Sequence, residues 1–210
     1  LPITVALVTT ITPTIGGKDQ ITLGTGKDIV FGGVDEDTIT ITDGNNIVFG
    51  DNGQLGWSAD LSIGGRVSFD LTGGGVDTIT ITGSGNNWVI GGTGGDRIVT
   101  GSGDDIVFGD FASFAGNLPT VPTVPYAPVP WTYTSTFTTV DPLIGSDDTI
   151  DAGNGRNIVV GGQGSDTITT GAGADDIVGG SNIPAGHDGN DVISSGSGDD
   201  VVAGDNASIL

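Results

Sequence analysis

Gly91-Gly92-Thr93-Gly94-Gly95-Asp96-Arg97-Ile98-Val99 has the form G-G-x-G-x-D-x-U-x, with U a large apolar residue, and residues 161–169 (GGQGSDTIT) repeat it in full. With the sixth position as marker, the period reaches back through Asp19, Asp28, Asp37, Asn46, Asp77 and Asn87 and forward to Asp105. It resumes as Asp148, Asn157, Asp166 and Asp175 and closes with Asp191 and Asp200. Within each run the step is nine residues, apart from one ten-residue step between Asp77 and Asn87. Two residues past every one of these fourteen markers stands Ile or Val. Regularity of this kind marks a repeat architecture, so the repeat decides the fold.

The chemistry of the nonamer explains the shape. The six residues G-G-x-G-x-D make a turn whose glycines take backbone angles closed to other residues. The remaining x-U-x makes a short strand whose middle side chain points inward. Two nonamers complete a coil of 18 residues, so alternate turns stack on opposite edges of a parallel β-roll. About seven coils at ~4.8 Å give a rod core of roughly 34 Å.

Composition agrees. Of 210 residues, 40 are Gly, and the common helix formers are scarce beside Ile, Val and Thr. The formal charge is -21, from 26 acids against 5 bases, which disfavours nucleic acid and anionic membranes as partners. A compact state with that charge needs a positive counterpart, and divalent metal is the candidate. Cys and Met are absent, so a metal site must be built from oxygen. The apolar start, residues 1–15, lacks a basic n-region and reads as strand rather than leader. No run is long enough to span a bilayer.

The repeats resemble the RTX nonapeptides, the haemolysin-type calcium-binding family, over well over half the chain. The resemblance implies a right-handed parallel β-roll, secretion from a bacterium and folding that depends on calcium. It also implies a ligand scheme. One turn supplies the carbonyls of its second and fourth positions with its marker, and the turn above supplies those of its first and third positions with its own marker. Applied here, the markers are joined by backbone donors at Gly32, Gly33, Asp35, Gly73, Gly75, Gly91, Gly92, Gly94, Gly101 and Gly103, then at Gly161, Gly162, Gly164, Gly171, Gly173, Gly196 and Gly198.

Sorted by edge, the markers divide unevenly. Edge A carries Asp19, Asp37, Asp77, Asp96, Asp148, Asp166 and Asp191. Edge B carries Asp28, Asn46, Asn87, Asp105, Asn157, Asp175 and Asp200. If every gap between stacked turns fills, up to about twelve calcium ions bind. Asp and Asn also suit tight turns without metal, and that plainer reading weighs most at the three Asn positions. The gap between Asn46 and Asn87 has no marker carboxylate and should be the weakest or empty, with Asp43 a substitute ligand.

The chain reads as a single solenoid over 1–210 with insertions at 50–72, 109–144 and 179–185. The first reads as a β-hairpin around Gly64-Gly65, and the second holds a stiff Pro-rich stretch over 118–130 with a β-prone tail. Residues flanking U are mostly polar after edge-A turns but apolar after edge-B turns, such as Phe31, Phe49, Trp88, Ile90 and Phe108. So long an apolar face aggregates if bare, so the insertions should fold back over it. Residues 1–14 and 204–210 resemble the closing and opening halves of further insertions. That suggests a window from a longer array or copies joined head to tail into a filament.

Catalytic chemistry is thin. His187, the only histidine, reads as a solvated turn residue, and no cysteine or second histidine builds a nucleophilic site. Acid pairs such as Asp104-Asp105 and Asp199-Asp200 could suggest glycoside chemistry, but the repeat explains them. Trp57, Trp88 and Trp131 could form a sugar platform, with packing in a cover layer the better reading. The chain therefore reads as a non-enzymatic, calcium-dependent structural or adhesive module of a secreted or surface protein, with homotypic end-to-end or face-to-face association. An accessory domain of a secreted enzyme or toxin is the alternative. Ice binding through outward steps such as Thr38-x-Thr40 is a third.

Overall fold

The computed structural model describes residues 7–57, 63–67, 74–115, 136–140, 143–184 and 186–209. Its strands fall into three sheets, and two of these are the roll. After the edge-A turns come β2 (Gln20–Gly26), β4 (Thr38–Gly44), β8 (Thr78–Ile81), β10 (Arg97–Val99), β14 (Thr149–Asp151), β16 (Thr167–Thr169) and β18 (Val192–Ser194). After the edge-B turns come β3 (Ile29–Phe31), β5 (Ile47–Phe49), β9 (Trp88–Ile90), β11 (Ile106–Phe108), β15 (Ile158–Val160), β17 (Asp176–Val178) and β19 (Val201–Ala203). Each set forms a seven-stranded parallel sheet in coil order.

Register is kept across the breaks in the repeat. Ile98 pairs with Ile79 on one side and, over the long second insertion, with Ile150 on the other. Val107 likewise lies between Val89 and Val159. The U residues thus meet in one row between the two sheets, with Ile39, Ile79, Ile98, Ile168 and Ile177 fully buried. At roughly 1.5–3 kcal/mol for each buried Ile or Val, this row is the main apolar contribution to the roll.

The third sheet is the expected cover. Its strands β1 (Leu7–Thr9), β6 (Gly53–Trp57), β7 (Ile63–Val67), β12 (Ala112–Ala115) and β13 (Thr136–Thr139) are antiparallel, in the order β1-β6-β7-β12-β13. A second core fills the space beneath it, where Phe49, Trp88, Ile90 and Phe108 of the roll meet Leu55, Phe111 and Ala112. Trp88 packs edge-on against Phe137 at 5.1 Å, which buries it beneath the cover layer rather than leaving it on an exposed platform. The first insertion is a hairpin, but Gly64 and Gly65 lie within β7, opposite Gly56 and Leu55, and not at its tip. The connection spans 58–62, which with Trp131 and the Pro-rich 118–130 lies outside the described residues. No helix among the described residues is long and apolar enough to cross a membrane.

Candidate metal centre

Each marker side chain is placed by the turn that carries it. In several turns positions two and four pass through the left-handed region, as at Gly92 (φ 123°) and Gly94 (φ 102°), and among the described residues only Asp35 takes such an angle without being Gly (φ 72°). The turn swings the marker back beneath the next coil. There the backbone N–H of one marker donates to Oδ1 of the next. On edge A the ladder runs Asp19 to Asp37, Asp37 to Asp77, Asp77 to Asp96, Asp96 to Asp148, Asp148 to Asp166 and Asp166 to Asp191, at 2.6–2.8 Å. On edge B it runs Asp28 to Asn46, Asn46 to Asn87, Asn87 to Asp105, Asp105 to Asn157, Asn157 to Asp175 and Asp175 to Asp200, at 2.7–3.2 Å. All fourteen predicted markers are therefore brought into two continuous columns.

The ladder uses one oxygen of each carboxyl and leaves the other. Oδ2 of Asp37, Asp77, Asp96, Asp148, Asp166 and Asp191 on edge A, and of Asp105 and Asp175 on edge B, is buried with no hydrogen-bond partner. An orphaned buried carboxylate oxygen is costly, and its repetition at every inner rung of edge A needs a common cause. The turn glycines show what each oxygen faces. A Cβ on Gly91 would lie closer than 3.0 Å to both Asp96 Oδ2 and the carbonyl of Gly109, so those oxygens share one space. The same pair recurs at Gly32 with Asp37 and Gly50, and at Gly161 with Asp166 and Gly179. Among the described residues no three acidic or histidine side chains gather into a cluster. Each inner gap of edge A instead combines marker carboxyls with backbone carbonyls, the donor set a hard cation takes.

Electrostatics point the same way. Burial above all, with charge on Asp51 and Asp37, pushes Asp77 up to about 8. Burial with the charges of Asp77, Asp51 and Asp110 pushes Asp96 up to about 10, and Asp166 rises to about 7, again mainly by burial. Asp148 is pushed well above the usual carboxylate range by burial and by Asp110 and Asp96. Carboxylates held this way ionise readily only beside positive charge. The residues present therefore fit calcium. On edge A the marker Oδ2 atoms and the first-position carbonyls would hold it, and the ion would supply the charge that lets the buried acids ionise together.

Two residues of this site were not among the sequence candidates. After β5, Gly50 and Asp51 stack in the register of Gly91 and Gly92, for Asp51 N–H donates to the Gly91 carbonyl (3.3 Å) as Gly92 N–H does to that of Gly109 (2.9 Å). The first insertion thus splits an edge-A turn between its second and third positions, and Asp51 fills the second. Gly73, expected there, lies outside the described residues, while Gly75 stands at the fourth position against the Asp35 backbone. Asp51 accepts from Gly75 N–H beyond the insertion (3.2 Å) and from Thr93 N–H of the next turn (2.6 Å). Asp110 does the same at the second insertion, accepting from Ser146 N–H (3.2 Å) and from the N–H of Gln163. Each closes the split turn and ties it to its neighbour. The repeated openings Gly50-Asp51 and Gly109-Asp110 were the signal for them. Asp43 has a comparable duty, its Oδ1 accepting from Ser84 (2.8 Å) and Gly85 (3.2 Å), and these bonds hold its carboxyl below the usual range.

The family model described as RTX calcium-binding nonapeptide repeat (4 copies) matches residues 16–39, 81–112, 145–168, 151–183 and 185–207, more than half of the chain. Neither the curated proteins nor the solved structures give a match. With markers, turns and orphaned carboxylates repeating in one register, the chain belongs to the RTX calcium-binding nonapeptide repeat family.

Proposed function

We propose that this chain is a calcium-set structural and adhesive segment of a secreted or cell-surface bacterial protein, without catalytic activity of its own. The observation that carries the reading is the file of orphaned Oδ2 atoms down edge A. Without cations the buried acids oppose the roll, so the chain is loosely ordered and easy to export. In extracellular calcium the same acids become the bridges between coils, and binding free energy becomes folding free energy. Support for end-to-end association lies in the last coil, where Val202, at an inward position, is 47% exposed. Another coil, from a longer chain or a second copy, would cover that apolar end.

Far-UV circular dichroism during a calcium titration, with electron microscopy of the same samples, tests this. The reading expects strand signal to appear with calcium and vanish with chelator, and rods or fibres in the loaded sample alone. Equal strand content in both conditions overturns the calcium-set fold. Loaded particles that stay single overturn the association and favour an accessory module.

A further inference from the structure

Edge B differs from edge A in one respect that bears on where calcium goes. Asn46, Asn87 and Asn157 are as buried as the aspartates, each 1% exposed. Their Oδ1 atoms take the ladder bond from the preceding turn, at 3.1, 3.2 and 3.0 Å. That fixes each carboxamide, because a flip would set NH2 against the ladder N–H and oxygen against carbonyl oxygen. The NH2 group must then occupy the position that Oδ2 holds in an aspartate.

There it donates to the oxygens assigned to the metal. Asn46 Nδ2 lies 2.9 Å from the carbonyl of Gly44, the fourth position of its own turn, and 2.9 Å from Asn87 Oδ1 across the gap. Asn87 Nδ2 lies 2.7 Å from the carbonyl of Gly85 and 2.9 Å from Asp105 Oδ1. Asn157 Nδ2 reaches the carbonyls of Gly153 (3.5 Å) and Gly155 (3.4 Å), the second and fourth positions. We propose that these three carboxamides stand in for the cation, so that the gaps Asn46/Asn87, Asn87/Asp105 and Asn157/Asp175 take no calcium.

The proposal rests on the calcium reading above and sharpens it. A count of carboxylates does not predict it. The gaps Asn87/Asp105 and Asp105/Asn157 each pair one Asp with one Asn, yet the first is filled by an NH2 and the second faces the orphaned Oδ2 of Asp105. Direction along the column decides. Of the twelve gaps spanned by the ladder, three are closed by amides and nine are left for calcium. The two adjacent amide gaps join β5, β9 and β11, the strands that carry Phe49, Trp88 and Phe108 under the cover sheet. That stretch of edge B closes with no metal and can hold the coils in register while the other gaps load.

Native mass spectrometry at saturating calcium, with circular dichroism to confirm the fold, reads this as ions per chain. We expect nine in the unmodified chain, one more in each of Asn87→Asp and Asn157→Asp, and one fewer in Asp105→Asn. If Asn87→Asp does not fold, the other two variants read the same rule lower on the edge. Twelve ions in the unmodified chain, or a folded Asn157→Asp with no added ion, overturns the proposal and leaves the calcium-set fold standing. No bound calcium in any variant overturns both.

Discussion

Replacing Asp96 by Asn should move the stability of the calcium-free and calcium-loaded forms in opposite directions. The Asp96 carboxyl is 1% exposed and is pushed from an ordinary 3.8 up to about 10 by burial and its acidic neighbours. A group raised in this way supports the fold in acid and opposes it as pH rises from 3.8 through the folded value. At pH 7 the unfolded chain gains the free energy of ionising this group and the roll does not. At roughly 1.4 kcal/mol per pH unit, that is about 4 kcal/mol against the calcium-free fold. Asparagine keeps Oδ1 for the N–H of Asp77, 2.7 Å away, and has nothing to ionise. Its NH2 has a ready model in Asn87, bonded to its own turn's carbonyl.

The variant should therefore ease folding in EDTA by up to about 4 kcal/mol. It should weaken the loaded form, because a ligand is lost between two coils. Urea unfolding followed by circular dichroism at pH 7, with EDTA and with millimolar calcium, gives both numbers. If the wild type is unfolded in EDTA, the amount of stabilising osmolyte needed to restore strand signal serves instead. A variant that is less stable in EDTA than the wild type refutes the reasoning.

In chelator, strand content of the wild type should grow as pH falls from 7 toward 4, because burial raises Asp51 to about 6, Asp166 to about 7 and Asp77 to about 8. The calcium-loaded form should show the reverse in a dichroism titration, losing its ions as the carboxyls protonate. Gly91→Ala forces a Cβ against Gly109 O and Asp96 Oδ2 and should cost about 1–3 kcal/mol by thermal unfolding in calcium. Gly17→Ala, with nothing within 4 Å of the added carbon, should stay within about 0.5 kcal/mol. Trp88→Ala opens the seam under the cover sheet and should cost about 3–5 kcal/mol, with increased binding of a hydrophobic dye. Asp51→Ala strands the N–H groups of Gly75 and Thr93 and should cost about 1–3 kcal/mol by urea unfolding.

The period of nine placed all fourteen roll strands, because identical turns can stack in only one register if every U residue is to reach the core. The apolar flanks Phe49, Trp88 and Phe108 announced a cover layer for the same reason: a face that water rejects must be covered. What stayed hidden depends on contacts between coils rather than on local pattern. Gly73-Gly74-Gly75 imitates a whole turn, and only stacking against Gly33 and Gly91 shows that Gly50 and Asp51 begin it. Asn87 reads as a weakened ligand in one dimension. Its role as a donor emerges only when the N–H above and the carbonyl beside it fix which way the amide faces. The order of the cover sheet, with β1 against β6, is a tertiary choice that no short window encodes.

The claim that cations bridge the acidic turns of edge A is met most directly by diffraction from calcium-grown crystals at a wavelength where calcium scatters anomalously. A peak should stand in each inner edge-A gap, about 2.3–2.6 Å from the marker Oδ2 and from the first-position carbonyl of the next turn. Well-ordered edge-A turns with paired Asp37, Asp77, Asp96, Asp148 and Asp166 and no peak between them would contradict it.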